Sequence, residues 1–198
     1  MRRTLLAAST LVALAATALA GGSYTSAYTS IDFEKACTKL SESEEGASIT
    51  LRCKGYGDYP VNYAEGDLRA AVTFGIQPDG YEAPWQSFGP WNRINDRIEW
   101  RLKGDQPVAT ILRWFVDNID PSTGSADPKR EGNILVVSRV AGLDGKPGCM
   151  VGLVDARANP HANDLARRIA DTIAEEFDCT TDVPQYHGKR GPYAPDPS

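Results

Sequence analysis

Four arginines and one glutamate occupy alternating positions in three segments that have the two-residue period of β-strands. These five residues are Arg97, Glu99, Arg101, Arg113 and Arg139. A guanidinium binds a carboxylate or a phosphate through two parallel hydrogen bonds, so arginines gathered on one sheet face favour an anionic ligand. We therefore predict a candidate anion-binding site formed by these side chains.

The gathering of these arginines depends on how the three strands pair. If Glu99 faces Ile111 in the first pair and Leu112 faces Ser138 in the second, all four guanidiniums surround the one carboxylate. A slip of one residue would move the side chains to the other face of the sheet. The alternative is a solvated face on which Glu99 and neighbouring aspartates supply the countercharges.

An aromatic loop precedes the first of these strands. Trp85, Phe88 and Trp91 recur every three residues among the prolines of segment 81–91. Exposed indoles can stack on sugar rings or grip peptides, and we treat Trp85 and Trp91 as candidate ligand contacts beside the arginines. The alternative, which the Pro-rich setting favours, is that the rings cap the core at the open end of the sheet.

Catalytic groupings are sparse in this sequence. Asp155 could orient His161 as a general base in the turn before the predicted helix, although a capping turn with an exposed histidine is the simpler interpretation. Glu65, Asp67 and Glu99 could act as the paired carboxylates of a glycoside hydrolase, but that chemistry depends on their separation. The chain has no C-x-x-C and only two histidines, so we predict neither a bound metal nor a cofactor.

The chain has four cysteines, an even set for which three connectivities are possible. Cys37 and Cys53 flank an acidic loop, as partners across a hairpin do. A strand that begins at Cys149, followed by a helix antiparallel to it, would bring Cys149 close to Cys179. We predict the disulfides Cys37–Cys53 and Cys149–Cys179.

The first 20 residues have the features of a secretory signal peptide. Arg2 and Arg3 precede an apolar run, and Ala18-Leu19-Ala20 fits the small-x-small rule, so we place the cleavage after Ala20. The run is shorter than a membrane span, and we expect no membrane insertion after cleavage. Export and paired cysteines indicate a periplasmic or secreted protein. The formal net charge of −5 argues against nucleic acid as a partner.

The elements that position these residues predict an α+β fold, in which an antiparallel β-sheet meander carries one long C-terminal helix on a face. The helix begins near Asn159 or Asn163 and runs to about Asp178, with an apolar stripe at helical spacing. The arginines are expected on the opposite face of the sheet. We predict one domain over residues 31–179, between a flexible N-terminal segment (21–30) and a disordered Pro-rich tail (180–198).

The segments ANDLARRIADTIAEEFDC and RIEWRL…ATILRWF, together with the N-terminal cysteine pair, resemble small exported proteobacterial proteins of unknown function. The resemblance implies a periplasmic single domain and supplies no activity or catalytic residue. From the residues themselves we expect a non-enzymatic binding or accessory module for an anionic ligand or a protein partner. The alternative is a cell-envelope hydrolase of the glycoside type that uses acidic residues. The oligomeric state is left open.

Overall fold

The computed structural model describes residues 23–142 and 145–198. The predicted signal peptide, residues 1–20, therefore lies outside the described residues. The described chain contains one α-helix, α1, which spans Ala162–Thr172. The strands, in chain order, are β1 (Tyr24–Ser30), β2 (Cys37–Glu42), β3 (Ser48–Tyr56), β4 (Tyr59–Gly66), β5 (Arg69–Gly75), β6 (Asn92–Lys103), β7 (Gln106–Val116), β8 (Ile119–Asp120), β9 (Ser125–Ala126), β10 (Gly132–Ala141), β11 (Met150–Asp155) and β12 (Gln185–Tyr186).

Ten of these strands form one curled sheet that divides at β10. The order is β1-β6-β7-β10-β5-β4-β3-β2, and β11 and β12 branch off beside β10. One edge of β10 pairs with β7, whereas the other pairs with antiparallel β11 at residues 134–138 and with parallel β5 at residues 140 and 141. We call β1, β6, β7, β10, β11 and β12 the main half of the sheet, and β2 to β5 the back half.

Alternating apolar residues give the main half a hydrophobic core on each face. The core between the two halves includes Trp100, Trp114, Phe74, Val61 and Leu112, each at most 1% exposed. The core on the other face joins α1 to the strands and includes Ala166, Ile169, Ala170, Ile111, Leu135 and Val137. The molecule therefore has three layers: the helix, the main half and the back half.

The predicted α+β fold class is wrong, because the described protein is mostly β and its helix has only 11 residues. The helix ends at Thr172 instead of near Asp178, and Ile173 follows it with φ −115°. Several acidic residues lie beyond this point, and negative charge at a helix C-terminus opposes the helix dipole. Ala174 and Phe177 remain buried beyond the end of the helix, so the apolar spacing predicted burial correctly and helix length incorrectly.

The N-terminal segment predicted to be flexible contains strand β1. It pairs along its whole length with β6, from Tyr24 opposite Lys103 to Ser30 opposite Arg97. The polar composition of this segment led to the wrong prediction. A strand at a sheet edge satisfies its backbone by hydrogen bonding and needs few apolar side chains.

The tail predicted to be disordered is also part of the fold. Strand β12 pairs with β11, Ala194 is 5% exposed within the core, and Ser198 exchanges two backbone hydrogen bonds with Ser87. Prolines do not prevent this packing, since they remove backbone donors without preventing a segment from lying in an extended form across other strands. The tail closes one end of the core between the two halves.

Both predicted disulfides are present. Cys37 and Cys53 lie directly opposite each other on β2 and β3. Cys149 is joined to Cys179, with their Cα atoms 5.7 Å apart. The second disulfide closes a loop of 30 residues and ties the chain after α1 to the start of β11, a constraint worth about 3–4 kcal/mol in the chain-entropy account.

Candidate functional site

The predicted arginine face forms on the main half of the sheet, with a register close to the expected one. Glu99 lies opposite Ile111, as predicted. Leu112 lies opposite Val136, two residues from its predicted partner. Because a shift of two residues leaves each side chain on the same face, Arg139 still belongs to the face that carries Glu99.

The prediction that this face lies away from the helix is wrong, because α1 packs across it. Ile111 has the same orientation as Glu99 and Arg113 and belongs to the core under the helix. The apolar residues of this face pack against the helix, and the arginines lie beside these apolar residues. The β6–β7 register shifts between Ile94 and Ile98, so Arg97 has no residue of β7 paired directly opposite it.

Arg101 is bound directly to the helix. Its side chain is 8% exposed, and its Nε and Nη2 donate to the two carboxylate oxygens of Asp171 at 2.8 and 2.7 Å. Its Nη1 donates to Ser26 Oγ at 2.5 Å and lies 3.9 Å from a carboxylate oxygen of Glu99. A paired fork of this kind is strong and directional, so Arg101 fastens α1 to β6.

Glu99 is the acceptor at the centre of this face. Arg167 of the helix donates from Nε to Oε1 at 2.6 Å and from Nη2 to Oε2 at 3.1 Å, and Ser26 Oγ donates to Oε1 at 2.6 Å. Burial raises the pKa of Glu99, but the hydrogen bonds from Arg167 and Ser26 and the adjacent charge of Arg101 outweigh it and hold the pKa below its ordinary value. Glu99 is therefore ionised at neutral pH and is held in place by its hydrogen bonds.

Arg139 is also bound by the protein itself, through backbone groups next to the helix. It is 3% exposed, and its Nη1 donates to the backbone carbonyl oxygens of Ala174 and Glu175 at 3.0 and 2.5 Å. These carbonyls lie just beyond the end of α1, where acceptors lack partners within the helix. Arg139 thus supplies hydrogen bonds to the turns that lead to Cys179.

Arg97 and Arg113 differ from the other two predicted arginines, because they line a cleft of about 310 Å³ beside the N-terminal half of α1. The remaining lining residues are Tyr28, Asn95, Glu99, Ile111, Leu135, Asn163 and Arg167. The guanidinium carbon of Arg97 lies 4.5 Å from the centre of the Tyr28 ring. Arg113 donates from Nη1 to the amide oxygen of Asn133.

The cleft has an excess of positive charge. Glu99 and Arg167 neutralise each other, whereas neither Arg97 nor Arg113 has a carboxylate partner in the part of the chain that the structure describes. Burial lowers the pKa of Arg113, as expected for a cation that has lost water without gaining an anion. The cleft therefore presents two guanidiniums that have no carboxylate partner among the described residues, and one of them is half-buried.

The aromatic loop is divided between core and surface. Phe88 is fully buried and packs against Trp114 with ring centres 5.5 Å apart, which fits the core-capping interpretation. Trp85 and Trp91 are 48% and 45% exposed. Trp85 lies over the outer face of the back half, on the other side of the molecule from α1, so the predicted placement of Trp85 beside the arginines is wrong.

Trp91 also lies apart from the arginine cleft. It lines a small apolar depression with Arg69, Pro90, Asp117 and Ile119. This depression contains none of the predicted arginines. The seven predicted contact residues therefore do not form one site.

The remaining catalytic candidates do not assemble into a recognisable grouping. His161 is the N-cap of α1 without a side-chain capping bond, in place of the asparagines considered for that position. Asp155 accepts backbone hydrogen bonds from Arg157, Ala158 and Gly191, so its carboxylate organises the turn. The described residues contain no group of three histidine, cysteine, aspartate or glutamate side chains that could hold a metal ion.

Sequence reasoning did not assign six of the nine lining residues to the site, among them Tyr28, Asn163 and Arg167. Tyr28 lies opposite Glu99 on β1, a strand that was taken for a flexible segment. The Tyr and Thr residues of that strand, in YTSAYTS, have β propensity and could have revealed it. Arg167 lies on the helix, and it binds Glu99 on β6 and Asp164 on its own helix.

Comparison with known proteins adds no relative to this description. No family model matches the chain, and no curated protein or solved structure is significantly similar to it. The resemblance to exported proteobacterial proteins stays a prediction. Within the described residues, no helix is long and apolar enough to cross a membrane.

Proposed function

We propose that this protein is a non-enzymatic binding module that holds a small anionic ligand in the cleft between β6, β7 and the N-terminal half of α1. The observation that carries the proposal is Arg113, a half-buried guanidinium with a lowered pKa and no carboxylate partner among the described residues. A cation in that setting is destabilised until an anion reaches it.

The cleft favours a ligand with one phosphate or two carboxylates. Arg97 and Arg113 approach from two different strands, and each can give two parallel hydrogen bonds to an oxyanion. A volume of about 310 Å³ lies at the lower end of the range for small-molecule sites. The ring of Tyr28, whose centre lies 4.5 Å from the guanidinium carbon of Arg97, adds an apolar surface next to the charged group.

The proposed setting is the periplasm or the extracellular space. The two disulfides support it, because such bonds persist in oxidising compartments. The predicted signal peptide adds a second, independent argument from the sequence. The proposal includes cleavage after Ala20, which peptide mapping of the mature protein would test.

The alternative of a glycoside hydrolase has less support. A general acid for that reaction must hold a proton near neutral pH, whereas the pKa of Glu99 is lowered and its two oxygens are bound by Arg167. Glu65 accepts a hydrogen bond from the hydroxyl of Tyr63, and Asp67 pairs with Arg69 at the turn between β4 and β5.

Calorimetric titration of the purified protein with inorganic phosphate and with citrate tests the proposal. We expect saturable binding to the native protein and binding about ten- to a hundredfold weaker in Arg113→Gln, because charge-assisted hydrogen bonds are lost. Arg93→Gln is the matched control, since Arg93 lies on the same hairpin but pairs with Glu131 at 2.8 Å outside the cleft. The proposal fails if neither anion binds, or if Arg113→Gln binds them as tightly as the native protein does.

A further inference from the structure

A second groove lies on the outer face of the back half, on the far side of the molecule from the arginine cleft. Its volume is about 270 Å³, and its lining residues are all uncharged. The floor comes from β3, β4 and β5, and one wall comes from Trp85 in the loop before β6. The groove shares no residue with the arginine cleft.

The floor of this groove is low because small residues lie side by side across three strands. Thr50 lies opposite Ala64, and Ala64 lies opposite Ala71. These side chains share the face that points away from the core, since their neighbours Val61, Phe74 and Leu51 point inward. A row of alanine and threonine on an outer face lets a flat molecule approach the backbone of the sheet.

The wall of the groove is a tryptophan held in an exposed position. Trp85 is 48% exposed, and a Cβ atom at Gly66 would lie 3.9 Å from its Cη2 atom. The next residue, Gln86, accepts a hydrogen bond from the backbone N–H of Met150 at 2.7 Å. Ser87 is fully buried and donates to the carbonyl of Ala70 at 2.6 Å, so the loop is anchored immediately after the indole.

Polar groups at the floor can still receive a ligand. The Thr50 hydroxyl has no hydrogen-bond partner among the described residues. The Thr73 oxygen receives only a long hydrogen bond of 3.5 Å from Asn62, which leaves its hydroxyl proton for another acceptor. An apolar ring wall over two hydroxyls matches a molecule that has one apolar face and a rim of hydroxyl groups.

We propose that this groove binds a neutral sugar, with one pyranose ring stacked on Trp85 and its hydroxyls bonded to Thr50 and Thr73. The uncharged lining favours a neutral ligand, and the C–H face of a pyranose suits the face of an indole. The groove would act independently of the anion cleft, because the two lie on opposite sides of the molecule.

The experiment is saturation-transfer NMR and titration of the native protein with three neutral trisaccharides: maltotriose, cellotriose and triacetylchitotriose. We expect at least one to bind in the millimolar range. Trp85→Ala should weaken that binding at least tenfold. Trp91→Ala is the matched control, because Trp91 is similarly exposed but lines a different depression, and it should leave binding unchanged.

A second variant keeps the test independent of any damage to the loop. Ala71→Leu places a larger side chain on the outward face of β5 and should abolish sugar binding while circular dichroism and thermal unfolding remain native-like. Failure of the native protein to bind any of the three sugars overturns the proposal. Binding that persists in both Trp85→Ala and Ala71→Leu overturns it as well. Arg113→Gln should bind the sugar normally, which separates this proposal from that of the anion cleft.

Discussion

Glu99 connects the charged side chains of the sheet with those of the helix. Its oxygens accept hydrogen bonds from Arg167 and Ser26, and Arg101 lies 3.9 Å away. Removing the negative charge would leave two guanidiniums close together in a half-buried setting. The residue therefore stabilises the attachment of α1 only while it is ionised.

Acid should weaken this attachment. The pKa of Glu99 in the folded protein lies below its ordinary value of 4.5, so its stabilising effect is present above that value and is lost as the pH falls through the folded pKa. We expect the free energy of unfolding to decrease as the pH falls below about 5. In Glu99→Gln the decrease should be shallower, and the variant should be less stable than the native protein at neutral pH.

Urea unfolding measured at several pH values checks this expectation. Glu42→Gln is the control, because Glu42 pairs with Lys39 on an exposed strand and should leave the slope near that of the native protein. An unchanged slope in Glu99→Gln would show that other acidic groups govern the acid response. Glu175 is one such group, since hydrogen bonds from Lys103 and Tyr24 overcome its burial and lower its pKa.

The sequence predicted which side chains share the arginine face, but it did not predict the groups that bind them. Alternation placed Arg101 and Arg139 on one face correctly, because strand parity survives a register shift of two residues. Their acceptors, Asp171 and the carbonyls of residues 174 and 175, lie far along the chain. No local pattern connects such distant groups.

At the scale of elements, α1 is attached to the sheet by charge as well as by apolar packing. Arg101 forms a bidentate pair with Asp171, and its side chain is 8% exposed. Burying an ion pair confers little net stability, but removing one partner leaves the other without compensation. The link between β6 and α1 should therefore be sensitive to loss of either charge.

Arg101→Met should destabilise the protein by about 3 kcal/mol, because Asp171 would keep a partly buried negative charge without a partner. Chemical denaturation of the oxidised protein measures the effect. Lys39→Met, which removes an exposed pair, should cost less than about 1 kcal/mol. Equal effects of the two substitutions would contradict a specific role of Arg101 in holding the helix.

The β-hairpin of β6 and β7 and the two disulfides could be predicted because their signals are local or geometrically limited. The length of α1 could not, since the apolar stripe continues through Ala174 and Phe177 after the helix has ended. Beyond Thr172 the buried residues keep the spacing of a helix although the backbone is no longer helical. The spacing of apolar residues therefore does not show where the helix ends.

At the scale of the whole molecule, the C-terminal tail completes the core that the two halves of the sheet leave open. Tyr186 packs against that core and donates from its hydroxyl to the carbonyl of Pro195 at 2.7 Å. Gly191 donates to Asp155 at 2.8 Å. Composition alone predicted disorder here, because it does not show that a segment's few apolar residues have a place in the core.

Deleting residues 183–198 should lower the free energy of unfolding by about 3 kcal/mol or more, since Tyr186 and Ala194 would no longer cover the apolar core. Thermal unfolding and binding of a hydrophobic dye measure the loss and the newly exposed surface. Val183→Ser is the control, because Val183 is 67% exposed and should leave both properties unchanged. A truncated protein as stable as the full chain would mean that the tail contributes nothing to the fold.

The pairing of β1 with β6 affects how the protein is made. A nascent chain carries residues Tyr24–Ser30 without their partner until Lys103 has been synthesised. During that interval the segment is uncharged, contains no proline or glycine, and has no partner strand, a combination that favours pairing with another chain. The N-terminal segment therefore depends on the completion of β6 to satisfy its backbone, and until then it stays open to pairing with another chain.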